Sequence, residues 1–441
     1  MHYRMRRLIT AMGLVLAATA AHAEDILDVY HQALQADPQL RAAEAANQAA
    51  QEAKPLSRSA LLPQVNLGAG LSYNEYDITQ SPSGSSDGDY DTKQYSLSLQ
   101  QPVYHRDYFI QLKQADAKIR QANAELEAAR QGLMVRVTQA YLSVLAAMDS
   151  LEFAQAEKKA TEQQLNQTKQ RFEVGLSAIT DVHEAQAGYD AAVAAEIVAR
   201  NLVDTRREGL REITNQDSGT LSVLVEKIPL VMPEPADIDA WVKQAQEQNL
   251  SLLAVEAATE TARQEIERRR SGHFPTLDVV ASHSYSDSVD SPVFGTERTD
   301  NSISLQLNVP LYSGGYTSAS TREAVAQHTQ AQEQLEQARR SATRQAREAY
   351  LNVVAGISNV QARKQAVNSA NTALEATQTG FEVGTRTAVD VLNAQRELFG
   401  ARANYSSARY DYILSLLLLK QATGSLSIDD LQALNRELQK P

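Results

Sequence analysis

Asp181 and Asp390 occupy matched positions, each nine residues after a phenylalanine in the same short sequence. Phe172-Glu173-Val174-Gly175 leads to Asp181-Val182, and Phe381-Glu382-Val383-Gly384 leads to Asp390-Val391, at a constant offset of 209. The chemistry open to such carboxylates is electrostatic. They can sit at a helix start, where the dipole is positive, and Arg386 nearby reads as an ordinary surface charge on a solvated tip. Thr387 with Asp390 makes the Thr-x-x-Asp capping pattern, and Val174-Gly175-Leu176 and Val383-Gly384-Thr385 read as turns that end helices. Bond-making chemistry finds no support. The eight histidines (2, 22, 31, 105, 183, 273, 283 and 328) have no metal-ligand spacing, cysteine is absent, and no nucleophile or phosphate-loop motif occurs. The expectation is a protein that is not an enzyme and carries no cofactor or metal.

What must position these residues is a duplication. Ala140-Tyr141-Leu142 recurs as Ala349-Tyr350-Leu351 at the same offset of 209, and Pro102 pairs with Pro310, Pro63 with Pro275, and Leu40 with Leu252. A repeat of roughly 200 residues is too long for a solenoid unit and reads as a duplicated domain half. The expected organisation is a signal peptide over 1–23, a first repeat over 24–230 and a second over 231–441. Arg4, Arg6 and Arg7 form the basic start of that leader, Leu8 to Ala20 its apolar core and Ala21-His22-Ala23 its cleavage site. Its removal takes the formal charge from −12 to −15, which speaks against nucleic acid as a partner.

Each repeat holds two stretches of strict alternation. Val65, Leu67, Ala69, Leu71 and Tyr73 alternate with small polar residues, as do Tyr95, Leu97 and Leu99; Leu277, Val279, Ala281 and Tyr285 form the third set and Ile303, Leu305, Leu307 and Val309 the fourth. Strands are expected at 65–76, 92–102, 277–286 and 301–311, joined by polar loops at 79–92 and 287–301. One apolar face, one face of Ser, Asn, Gln and Gly, and tyrosines at the strand ends suit a transmembrane barrel better than a sandwich. His283 falls on an apolar strand face, near a membrane interface. Pro63, Pro102, Pro275 and Pro310 mark strand–helix junctions. The rest reads as helix. From His105 to Phe172 there is no proline, and Leu112, Ala115, Ile119, Ala122, Leu126, Ala129 and Leu133 keep 3-4 spacing, a coiled-coil seam in a rod of roughly 100 Å. Shorter helices are expected over 25–61 and 238–272 before the strands, and over 178–214 and 387–422 after the tips. A linker with three prolines spans Ser218 to Pro235. Four strands cannot close a barrel; two chains would give a small filled one, and three chains a twelve-stranded one with a lumen.

In these features the chain resembles the TolC family of outer-membrane efflux and secretion ducts over its whole mature length. The resemblance rests on the Ala23-Glu-Asp-Ile-Leu-Asp-Val-Tyr start, Leu61-Leu62-Pro63-Gln64, and the two tip sequences from Arg171 and Phe381. It implies a mixed α and transmembrane β fold: a trimeric 12-stranded β-barrel, four strands per chain, continued by a long coiled-coil α-helical barrel in the periplasm. It implies an outer-membrane exit duct of a tripartite export system in a Gram-negative cell, for type I protein secretion, drug efflux or both. The implied partners are a homotrimer, a periplasmic adaptor, an inner-membrane ABC or resistance-nodulation-division transporter and outer-membrane lipid. A passive porin or a periplasmic coiled-coil scaffold are the rival functions. The pore constriction maps to Asp390 and to Asn393, the latter where a well-known member has a second aspartate. The gate latch maps to Arg386 facing Asp181 and Thr180, with further contacts at Gln164 and Phe381, and Phe381 lacks the hydroxyl its counterpart carries. Val174, Gly175, Leu176, Val383, Gly384 and Thr385 are the implied adaptor-docking tips.

Overall fold

The computed structural model of the chain describes residues 23–79, 86–288 and 297–439. The expected leader lies, but for its last residue, outside them. Three short helices open the chain: α1 (Ile26–Ala36), α2 (Pro38–Gln51) and α3 (Ala53–Ser59). A hairpin of β1 (Gln64–Ile78) and β2 (Ser86–Tyr104) follows, then the rod α4 (Arg106–Glu173) and its return α5 (Ile179–Thr214). A two-residue strand, β3 (Val223–Leu224), interrupts the linker. The second half runs α6 (Ile238–Gln248), α7 (Leu250–Arg270), β4 (Thr276–Ser288), β5 (Glu297–Asn308), α8 (Tyr316–Glu382) and α9 (Ala388–Ala422). It closes with α10 (Ile428–Arg436) and β6 (Leu438–Gln439), which pairs with β3.

The four long strands form one antiparallel sheet in the order β1-β2-β4-β5, so β1 and β5 are its edges. Rows of facing residues run across it. Val65, Leu99, Ala281 and Ile303 share one row; Leu67, Leu97, His283 and Asn301 share the next; and Tyr95 stacks on Tyr285 with centroids 4.9 Å apart. The apolar rows share one face of the sheet and are uncovered in the chain, with Leu71 at 81 % and Ile303 at 84 % exposure. The opposite face carries Ser96, Ser98, Ser282, Ser284 and Ser302, and Ser282 and Ser302 meet hydroxyl to hydroxyl at 2.8 Å. His283 meets its row neighbour: its Nδ1 lies 2.7 Å from the Asn301 amide oxygen.

Several boundaries differ from the sequence expectation. At the helix ends β2 runs through Pro102 to Tyr104 with a break in register, and β5 stops at Asn308, short of the expected 311. At the loop ends the strands run further than the alternation does, since Ile78 pairs with Ser86 and Asp287 with Glu297. Asp87, Asp89 and Asp91 occupy the outward positions there, so the apolar signal ends while the backbone ladder continues. Within the expected loops, residues 80–85 and 289–296 lie outside the described ones. Nor is the segment before each hairpin one helix. Asp37 and Asn249, at matched places in the two repeats, have extended backbone and break it. Each caps the helix that follows by accepting a hydrogen bond from a backbone N–H, Leu40 at 2.6 Å and Leu252 at 2.9 Å.

The rods are not independent stems. α4 and α5 pack along their length, as do α8 and α9, and α4 also packs on α7 and α9. The main core sits part-way along them, where Leu133, Val137, Tyr141, Leu145 and Val353 meet Tyr412, Leu417 and Leu419. The linker, the N-terminal residues and the C-terminal strand wrap this level. The Tyr141 hydroxyl donates to the Ser222 carbonyl at 2.7 Å and lies 3.1 Å from that of Glu24; burial pushes its pKa well up, so it stays a donor. The Gln131 amide donates to the carbonyls of Gly424 and Leu426, fixing the turn between α9 and α10.

That turn has no room for a side chain. Gly424 has φ +72°, and a Cβ there would lie 2.1 Å from the Gln248 carbonyl oxygen. Gly175 has nearly the same φ, +76°, but open space around it. Gly175→Ala should therefore cost only the left-handed penalty of ~1–2 kcal/mol, whereas Gly424→Ala should cost clearly more in thermal unfolding of the purified protein. Equal losses would mean that backbone conformation alone, not the contact with Gln248, demands the glycine.

Candidate functional site

Both long hairpins end in the same backbone device. At the first tip the Leu176 N–H donates to the Arg171 carbonyl (2.8 Å) and the Gly175 N–H to that of Phe172 (2.9 Å). At the second, Thr385 donates to Gly380 (2.8 Å) and Gly384 to Phe381 (3.2 Å), with Gly384 at φ +82°. These are the paired bonds of a helix terminated by a left-handed glycine. The returning helix starts on a carboxylate in each case. Asp181 accepts from the Ser177 hydroxyl (2.6 Å) and the Ala178 N–H (3.1 Å). Asp390 accepts from the Thr387 N–H (2.9 Å) and hydroxyl (3.0 Å). Those two Thr387 bonds, with the nearby Arg386 charge as a lesser cause, hold the Asp390 carboxyl below the usual aspartate range.

The residues singled out from the sequence are gathered within the two tips, but not all in one cluster. Asp390 is half-buried, and Asn393, on the next turn of α9, is exposed. Arg386 is exposed and lies over Gly380, where an added Cβ would be 2.7 Å from its Cγ. Among the described residues no ion pair joins Arg386 to Asp181 within the chain, and Thr180 is exposed. Gln164 is buried and spends its amide within its own helix, donating to the Thr168 hydroxyl at 3.4 Å. Val174, Leu176 and Val383 are each about 70 % exposed, an apolar knob on either tip beside Gly175, Gly384 and Thr385.

Phe381 is only 7 % exposed and packs with Ala388, Val391 and Leu374. Over its ring, 4.7 Å from the centroid, lies the guanidinium of Arg171 from the other hairpin. Arg171 was not among the residues picked out from the sequence. Its signal was present, because the offset of 209 sets Arg171 against Gly380 and Ser177 against Arg386. The tips are matched in backbone and mismatched in the position of their cation. What this arrangement can do is hold shape and charge at the end of a helical rod.

The family model described as "Outer membrane efflux protein" matches residues 29–216 and 241–425. The chain is 44 % identical to Outer membrane protein TolC of Vibrio cholerae over 434 residues, 98 % of each chain. It is 38 % identical to Outer membrane protein TolC of Escherichia coli, covering 99 % of this chain and 90 % of that one. It is 32 % identical to Alkaline protease secretion protein AprF of Pseudomonas aeruginosa, covering 97 % and 91 %. Among solved structures, the outer membrane protein VceC of Vibrio cholerae superposes with a TM-score of 0.76 at 18 % identity, over 90 % of this chain and 96 % of that one. The CmeC outer membrane channel of Campylobacter jejuni does so at 0.77 and 14 %, over 94 % and 90 %. At such identities the structural likeness speaks to the fold.

The Thr387 contacts set a pH dependence at the second tip. Because the Asp390 pKa is depressed in the folded chain, the stability it contributes is full above the ordinary value near ~3.9 and is lost as pH falls through its own lower pKa. The chain has no cysteine, so a spin label at Glu382→Cys is unique. Its mobility should be constant at neutral pH and rise below about pH 3.9. With Thr387→Val the label should be more mobile already at neutral pH and gain less on acidification. Identical profiles would mean that Thr387 does not hold the carboxylate.

Proposed function

The chain belongs to the outer membrane efflux protein family, and from that premise we propose that it is the outer-membrane exit duct of a tripartite export system in a Gram-negative cell. Its barrel crosses the outer membrane and its rods extend through the periplasm. The observation that carries this reading is a four-stranded sheet, apolar outside and polar within, open at both edges and continued directly into rods of 68 and 67 residues, each about 100 Å long. A porin needs no such rods, and a periplasmic scaffold needs no lipid-facing sheet.

Three copies close the sheet, with β5 of one protomer against β1 of the next. Eight strands from two copies would make a barrel filled by side chains, and a Ser, Asn and Gly inner face has little bulk to fill it. The rods support the same arrangement. α4 packs on α2 and α3 on one side and on α7 on the other, whereas α8 has α7 on one side and, among the described residues, no comparable counterpart of that second partner. The first helices of the next protomer are that counterpart. Likewise Ser406 on α9 is buried and bonds Asp149 of α4, while its equivalent on α5, Ile197, is 65 % exposed and waits for the neighbouring α8.

In this duct the tips are the gate. Asp390 supplies a ring of three carboxylates at the constriction, and Asn393 a ring of amides one turn away. The Arg386 link to Asp181 and Thr180 joins neighbouring protomers, since Arg386 does not pair with Asp181 in its own chain. The apolar knobs at Val174, Leu176 and Val383 are the docking surface of a periplasmic adaptor, which couples the duct to an inner-membrane ABC or resistance-nodulation-division transporter. Relatives named for protease secretion and for efflux stand on both sides of the cargo question, and the duct itself does no chemistry on what it passes.

Reconstituted in planar bilayers, the protein should form cation-selective channels blocked by trivalent cations from the tip side. Asp390→Ala should remove most of that block. Asn393→Asp should deepen it by adding a second acidic ring, with the gain largest at low salt. If Asp390→Ala leaves selectivity and block unchanged, Asp390 is a helix cap only and the constriction lies elsewhere.

A further inference from the structure

The two repeats can be laid over one another at the tips, and one contact does not repeat. Arg171, at the end of α4, covers the Phe381 ring at the end of α8 in the same chain, at 4.7 Å. The residue that takes the place of Arg171 in the second repeat is Gly380, which has no side chain to offer. The ring it would cover is Phe172 of the next protomer, a ring that is 42 % exposed in the single chain. Around a ring of six hairpins the stack therefore occurs at alternate junctions, those inside a protomer. The Arg171 Nε is buried without a hydrogen-bond partner among the described residues. A guanidinium that has lost water on one edge and gained no acceptor there is compensated by the aromatic face beneath it. No carboxylate pairs with Arg171 among the described residues either.

We propose that Arg171 is a positioning residue of the gate: its stack on Phe381 clasps the second hairpin against the first and holds the aperture at its closed width. The proposal deepens the duct reading and rests on it. The junctions of the closed tip then use two kinds of bond in alternation. Within a protomer it is the sheltered cation on a ring, and between protomers the exposed pair of Arg386 with Asp181. Salt weakens the exposed pair and largely spares the sheltered one. The phenylalanine at 381 is then not simply a tyrosine that has lost its hydroxyl, because the ring itself receives the link.

The test is single-channel recording on the full-length reconstituted protein, with assembly of each variant checked by its mobility on unheated gels. Arg171→Gln and Phe381→Leu should each raise occupancy of the high-conductance level about tenfold, and the double variant no further than either alone. Arg171→Lys should fall between wild type and Arg171→Gln, Phe381→Tyr should match wild type, and Arg171→Met, which keeps the packing and loses the charge, should behave as Arg171→Gln. The increase should persist at high salt, where removal of Arg386 no longer matters. Wild-type channels with unchanged Arg171→Gln and Phe381→Leu recordings would overturn the clasp and leave the duct standing. So would a double variant whose effect is the product of the singles, or an Arg171→Met that matches wild type. A wild-type protein that makes no channel would overturn both.

Discussion

A β-strand in a bilayer cannot leave its edge bare. Hydrocarbon offers nothing to the N–H and C=O groups along β1 and β5, and each unpaired group would cost several kcal/mol. The outward rows of Leu, Val and Ile place this sheet in lipid, and the described residues supply four long strands. Closure must come from further copies, and the symmetry of closure then governs everything below it. Each strand pair feeds its helices at a fixed angle around the same axis, so the rods inherit the ring. A tip of six hairpins at the far end is the geometrical consequence of how the sheet satisfies its edges.

The duplication makes that ring almost sixfold, and the departures from sixfold symmetry are where function can reside. Asp37 and Asn249 interrupt the helix in both halves and cap it in the same way, yet Asp37 also pairs with Arg136 while Asn249 donates to the Ala422 carbonyl. Asp181 and Asp390 start equivalent helices, but only Asp390 has an arginine just before its capping threonine. At the tips a cation has moved from one end of the turn to the other, from Arg171 in the first repeat to Arg386 in the second. On the proposed reading, matched backbones with mismatched charges give neighbouring junctions different strengths, so that the gate opens at one kind of junction before the other.

Much of this was legible in the residues. Prolines at 63, 275 and 310 bracketed their strands while Pro102 fell inside β2 at a break in register, alternation identified the lipid face, and Thr387-x-x-Asp390 announced the capping box that the structure holds. The strands outran their pattern because Asp87, Asp89 and Asp91 stand in outward positions, where alternation of apolar residues stops but backbone pairing does not. The helix breaks at Asp37 and Asn249 were hidden by good helix-forming sequence on either side; the Asp37-Pro38 step was the visible clue in the first half. Arg171 escaped notice because its partner is 210 positions away, and an arginine near a helix end has an ordinary explanation in the dipole. Setting the repeats against each other exposes it, since a charged residue opposite a glycine is the largest change of side chain at the tip. The partner proposed for Arg386 lies in another protomer, and a single chain does not encode such a contact in any local pattern.

The dependence of the whole architecture on shared closure is tested most directly by the mass of the detergent-solubilised particle, measured by light scattering with the detergent contribution removed, alongside its circular dichroism. The account predicts a single species of three chains, each of at most 48.3 kDa, with full strand signal. A monodisperse single chain retaining that strand signal would contradict it, because a lone four-stranded sheet would then be stable with both edges bare.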